Sequence, residues 1–172
     1  MGKITFSSDV GGFRREDTMV TEEMVKKYFK TDENPEQMPP TKETQDFLYK
    51  SCQGYMNVLK DDDKVVGFML LLPARKELMN DFISKKINEV TLFERIMRSP
   101  MDKIPQTIYL CSTIVLEDYR GKGFAVEGTL KILDKFKKNK PILFSWSISP
   151  EGDNMAKKIS KISGLKLIVR KD

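Results

Sequence analysis

Apolar and polar positions along the chain alternate between two rhythms. Runs with β character cover residues 4–7, 55–59, 65–72, 108–116, 142–147 and 165–170. Between them lie stretches whose apolar residues recur at helical spacing. Met24, Val25, Tyr28 and Phe29 form one such stripe, in a helix expected over 21–29 with Thr21 as its cap. A second helix is expected to start at Thr41, with Phe47, Leu48 and Cys52 facing inward. The polar, proline-bearing stretch 31–40 reads as a connection. Residues 65–72 are almost continuously apolar, the mark of a strand covered on both faces, and Pro73 is expected to end it. Residues 74–106 read as a mostly helical excursion. A helix after Ala125 carries Val126, Leu130, Leu133 and Phe136 and ends in the lysine-rich run 135–140; another runs from Pro150 to Gly164. Helices alternate with strands in the C-terminal half. The expected fold is therefore mixed α/β with at least one parallel crossover.

Composition narrows the chemistry. At 172 residues, 40% hydrophobic, the chain is expected to form one domain over 1–172. It has no histidine, which removes the commonest general base, the serine triad and most zinc sites. Cys52 and Cys111 make neither a disulfide framework nor a metal site, so no metal is expected and a reducing, cytoplasmic setting is. No apolar run approaches the roughly 20 residues of a membrane span, and no signal peptide is read at the start. A net charge of +5 with interspersed signs argues against a nucleic-acid partner.

The informative element is the strand 108–116 feeding Arg120-Gly121-Lys122-Gly123 and then a helix. The first amides of a helix have no intrahelical acceptor, and its dipole adds about half a positive charge there. Glycines at 121 and 123 let a bulky anion reach that backbone, and Arg120 and Lys122 add charge beside it. A pyrophosphate is the expected ligand. A dinucleotide fold would need a third glycine where Val126 stands, and a P-loop would need Gly-Lys-Ser/Thr, which is absent.

The segment Arg120-Gly121-Lys122-Gly123-Phe124-Ala125 resembles the Gln/Arg-x-x-Gly-x-Gly/Ala signature of the GNAT superfamily of acyl-CoA-dependent N-acetyltransferases. Residues 62–68 resemble that family's polar turn and glycine-containing strand, and residues 153–165 its later helix. The resemblance spans about 41–170 apart from the 74–106 insertion. It implies a twisted, mixed sheet that splays after Val115, with acetyl-CoA in the gap and an amine acceptor beside it. It further implies that the amides of Arg120, Gly121, Lys122, Gly123, Phe124 and Ala125 hold the pyrophosphate. Ile114, Val115 and Leu116 would pair with the pantetheine arm, the Val115 amide polarising the thioester carbonyl.

Some positions depart from the family pattern. Ser160 stands where many relatives carry an acidic tyrosine. Tyr109 stands near the place of a glutamate base, and its ordinary pKa of about 10 makes it a weak base. A carboxylate acting through water is the default, with Glu117 or an acid of the N-terminal half as candidates. The chain ends soon after Val169, so the family's last strand is missing or supplied by a second copy. Cys111 and Trp146 read as core, with the acceptor cleft as the alternative for Trp146. The lysine run reads as a solvated helix end or a nucleotide-phosphate contact, and 74–106 as a flap or dimer surface. The functions that follow are an N-acetyltransferase for a primary amine of a small molecule or an exposed amino group, or a non-catalytic acyl-CoA-binding sensor or interaction module of the same fold.

Overall fold

A computed structural model describes residues 1–30, 33, 35 and 40–172, so most of the expected connection 31–40 lies outside the described residues. Six strands form one sheet in chain order: β1 (Ile4–Phe6), β2 (Met56–Asp61), β3 (Lys64–Ala74), β4 (Thr107–Val115), β5 (Ile142–Ser145) and β6 (Leu167–Val169). The first four are antiparallel; β4, β5 and β6 are parallel. Helices α1 (Arg15–Phe29), α2 (Lys42–Ser51), α3 (Lys76–Ile83), α4 (Glu89–Met97), α5 (Phe124–Leu133) and α6 (Pro150–Ser163) surround the sheet. Of these, α5 and α6 make the two parallel crossovers. No described helix is long and apolar enough to cross a membrane.

Several boundaries differ from the pattern-based reading for local reasons. α1 begins six residues before Thr21: the Asp17 carboxylate accepts from the Arg14 amide at 2.8 Å and ties down the first turn. Thr21 lies inside the helix, its hydroxyl donating to the Thr18 carbonyl. α2 does begin after Thr41, whose side chain accepts from the Thr44 amide. Pro73 lies within β3, paired with Ile108, rather than ending it. The Leu71 amide bonds on the β2 side, and Pro73 faces the same way, where β2 has already ended. No ladder bond is lost there. The lysine run lies past α5, which stops at Leu133; a 3-10 turn over Lys137–Asn139 carries part of it.

The core lies on both faces of β3, nearly every residue of which is buried. α5 packs close to the sheet because residue 128 is glycine; a Cβ there would meet Phe6 Cε1 at 2.8 Å. Fully buried Asn57 on β2 donates to the Gly128 carbonyl at 3.1 Å and exchanges bonds with Ser7 and Ser8. The middle of α5 is thereby fixed against the sheet.

Candidate functional site

The sheet divides between β4 and β5. Their parallel pairing covers only Thr107, Ile108 and Tyr109 opposite Ile142, Leu143 and Phe144. From Leu110 onward β4 has no partner on that side. The split thus opens at Leu110, not after Val115 as the resemblance implied. β4 also carries a bulge: Leu70 faces Ser112 and Leu71 faces Leu110, which leaves Cys111 as the extra residue and adds local bend. A cleft of about 580 Å³ fills the gap, lined by β4 residues 110–115, by α1, α2 and α4 on one side, and by α5, α6 and the segment 145–149 on the other.

Backbone aspect decides which β4 groups reach the cleft. The Leu116 amide donates to the Val66 carbonyl at 2.9 Å. By the alternation of an antiparallel pair, Ile114 also turns its peptide toward β3, whereas Val115 and Thr113 turn theirs away from it. The Val115 carbonyl accordingly accepts from Arg120 Nε at 2.7 Å. Of the three residues expected along a pantetheine arm, Ile114 and Val115 line the cleft but only Val115 turns its peptide away from β3; Thr113, which the loop signature does not include, shares its aspect.

The loop after β4 is built to present amides. A 3-10 turn over Glu117–Tyr119 closes it, and the Arg120 amide is committed to the Glu117 carbonyl at 3.1 Å. Arg120 therefore leaves the expected set of anion-binding amides. Among the described residues, the amides of Gly121, Lys122, Gly123, Phe124, Ala125 and Val126 have no hydrogen-bond partner. Gly121 and Gly123 have φ of +75° and +80°, a region costly for other residues, and a Cβ at either would meet nothing within 4 Å. The space above this backbone is open. Tyr119 secures the loop from below, its hydroxyl donating to Asp61 at the end of β2. The residues present fit a diphosphate: a run of unpaired amides at a helix mouth, side-chain-free approach, and Lys122 beside it.

The opposite end of the cleft holds chemistry that no motif announced. Asn88 caps α4 by accepting from the Thr91 amide at 2.9 Å, which leaves Glu89, the first helical residue, uncommitted to the cap. Its Oε2 accepts from the Tyr109 hydroxyl at 2.8 Å. Burial pushes the Glu89 carboxyl up to about 7, against the opposing effects of that bond and of Arg170. Tyr109 is itself 1% exposed and, by burial and the neighbouring carboxylate, held well above its ordinary value. It is a donor to Glu89, not the base that its position suggested. Arg170 is wedged between Phe82 and Trp146, its guanidinium carbon 4.6 and 4.9 Å from their ring centres.

Other expectations resolve by placement. The Ser160 hydroxyl donates to the Leu165 carbonyl at 2.6 Å, and Ser160 does not line the cleft. Glu117 is exposed on the 3-10 turn and likewise does not line the cleft. Trp146 and Cys111 pack against the core, as read, and also line the cleft. Lys135 donates to the Gly54 carbonyl and Lys137 pairs with Asp134 at 3.0 Å, so neither extends freely toward a nucleotide. A second cleft carboxylate, Glu22 on α1, is held by the Thr44 hydroxyl at 2.9 Å and by the Gln45 amide, and burial raises its pKa.

Comparison with known proteins agrees with this geometry. No curated protein sequence matches the chain. Solved structures share the fold, among them the following two. One is the diaminobutyrate acetyltransferase EctA from Paenibacillus lautus, in complex with L-2,4-diaminobutyric acid and coenzyme A, with a TM-score of 0.53 and 11% identity over 95% of this chain and 75% of that one. The other is an N-acetyltransferase from Staphylococcus aureus Mu50, with a TM-score of 0.50 and 18% identity over 93% and 89% of the two chains. The sequence model of the acetyltransferase (GNAT) family matches residues 19–150, from α1 through the split strands to the start of α6. With the loop signature seated at the mouth of α5 and that match spanning well over half its length, the chain belongs to the GNAT acetyltransferase family.

Proposed function

We propose that this protein transfers an acetyl group from acetyl-CoA to a primary amine, by direct attack with both substrates bound. The observation that carries the reading is the run of six unpaired amides, Gly121 to Val126, opening onto a cleft that continues along the unpaired edge of β4. The amides of Gly121, Lys122, Gly123, Phe124 and Ala125 would hold the diphosphate, and the extended edge at Val115 and Thr113 would align the pantetheine arm. Acetyl-CoA supplies an acetyl group activated as a thioester. An amide of β4 directed at its carbonyl would stabilise the charge that develops there, an effect worth about 3–4 kcal/mol in comparable sites. Val115 has that aspect, and Thr113 has it two residues nearer to Glu89. Apolar side chains of α1, α2 and α4, with Trp146 opposite, would exclude water around the amine.

Calorimetric titration with acetyl-CoA tests the donor half, with sub-millimolar binding expected; no detectable heat would end the reading. Thiol release over a panel of primary amines tests the transfer. Saturable binding without release on any amine would favour the sensor, a reading that draws on Ser160 being bonded away from the cleft.

A further inference from the structure

We infer that Glu89 is the group that takes the proton from the acceptor ammonium, with Tyr109 as the residue that holds it in place. The inference rests on the transferase reading above and assigns its missing base to the helical insertion, not to the loop or to β4. Three features of geometry carry it. First, Tyr109 is the last β4 residue paired with β5, so the carboxylate bonded to its hydroxyl lies at the apex of the split. Second, Glu89 lines the same cleft as β4 residues 110–115, among them Thr113, whose amide faces it. Third, only Oε2 is occupied. Oε1 has no partner among the described residues and is accessible to solvent, on a residue that lines the cleft.

Neither of the other two cleft carboxylates competes: Glu151 stands exposed in the first turn of α6 with no hydrogen bond among the described residues to fix it. Both oxygens of Glu22 are taken, by Thr44 and Gln45, and Lys26 lies near it. Its bonds make it a clamp between α1 and α2. Glu89 has one oxygen fixed and one presented, the arrangement a base needs to meet a proton in a defined direction. The charged and titratable groups facing it are Tyr109 and Cys111 from β4 and Arg170 after β6. Arg170 is stacked on Phe82 and Trp146 and donates to the Ile87 carbonyl, while its Nε is buried without a partner among the described residues. Among the described residues Glu89 forms no salt bridge, with Arg170 or any other cation.

The proton step balances simply. The acceptor arrives as R–NH3+; one N–H bond breaks, its proton passes to Oε1, directly or through one water, and its electron pair remains on nitrogen as the nucleophilic lone pair. Glu89 becomes a neutral carboxylic acid and later returns the proton to solvent at the cleft mouth. Neutralisation suits the site, because burial already favours the uncharged acid.

The test uses the full chain with Glu89→Gln, Glu89→Asp and Tyr109→Phe, each checked for folding by circular dichroism. In the wild type, turnover of the best panel amine should rise with pH through about 7, the range to which burial brings Glu89. Glu89→Gln should lower kcat by about 10²–10⁴-fold and abolish that limb, with acetyl-CoA affinity within about twofold of wild type. Glu89→Asp should recover part of the rate. Tyr109→Phe removes a bond that favours the charged carboxylate, so the limb should move to higher pH with a smaller loss of rate. A carbon-13 carboxyl titration of Glu89 in the ligand-free protein provides a readout without any acceptor: titration near 7 supports the inference, and titration near the ordinary value of 4.5 overturns it. Turnover by Glu89→Gln within about threefold of wild type also overturns it. Failure of the wild type to bind acetyl-CoA sinks the transferase reading itself, and is told apart by calorimetry.

Discussion

The two ends of the cleft are built on opposite principles. At the mouth of α5, six consecutive residues present backbone amides, and the side chains matter mainly by their absence at Gly121 and Gly123. At the apex, Glu89, Tyr109, Trp146 and Arg170 come from four separate segments and act through their side chains. The first end is exposed and open; the second is enclosed, and its burial moves Tyr109, Cys111 and Glu89 from their ordinary pKa values. A backbone site tolerates exposure because amides carry no net charge to tune. A proton-transfer site needs burial, since only desolvation brings a carboxyl near neutral pH.

Substitutions at each end should therefore fail in different ways. The largest effect on binding is expected from Gly123→Val. A branched side chain at φ +80° costs about 1–2 kcal/mol of backbone strain and fills the approach to the amides. Calorimetry should show acetyl-CoA affinity falling by more than about 100-fold while circular dichroism retains the fold; intact affinity would contradict the assignment of this loop.

A moderate effect distinguishes the apex by stability instead of affinity. The Glu89 carboxyl is raised above its unfolded value, so the folded state favours the neutral acid. Its contribution is fully present below about pH 4.5 and is lost as pH rises through about 7. Glu89→Gln removes that loss, and thermal melts should show it gaining on the wild type by on the order of 2 kcal/mol at pH 8.5 with little difference at pH 4. Equal differences at both pH values would mean that Glu89 is not held neutral by its surroundings.

The smallest effect is expected from Ser160→Ala. Loss of the bond to the Leu165 carbonyl should cost about 1 kcal/mol in denaturant titration and leave turnover within about twofold. A large fall in kcat at unchanged stability would return Ser160 to the chemistry and undo the contrast between the two ends.

How far the sequence was legible follows the same division. The apolar run of β3, the cap at Thr41, the glycine end of α6 and the loop 120–125 are local signals, and the structure places them close to where they were read. The position of the split was not legible. It depends on β5 stopping at Ser145, although the apolar pattern continues to residue 147. Nor was Glu89 legible, since a glutamate opening a helix is ordinary on dipole grounds and nothing nearby marks it. Tyr109 carried the only hint: it stands where a carboxylate was expected, and the structure brings a carboxylate to its hydroxyl.

Sequence alone determined the element order, the buried central strand and the glycine-opened mouth of α5, because each depends on periodicity or on residues within a few positions of one another. Tertiary structure alone decided where the sheet opens, which β4 amides turn outward, and which acid loses enough water to exchange a proton near neutrality. Those properties depend on strand partners and burial contributed by segments 20 to 83 residues apart, as between Glu89 and Tyr109 or Ile87 and Arg170. Desolvation belongs to the assembled cleft and to no stretch of chain within it.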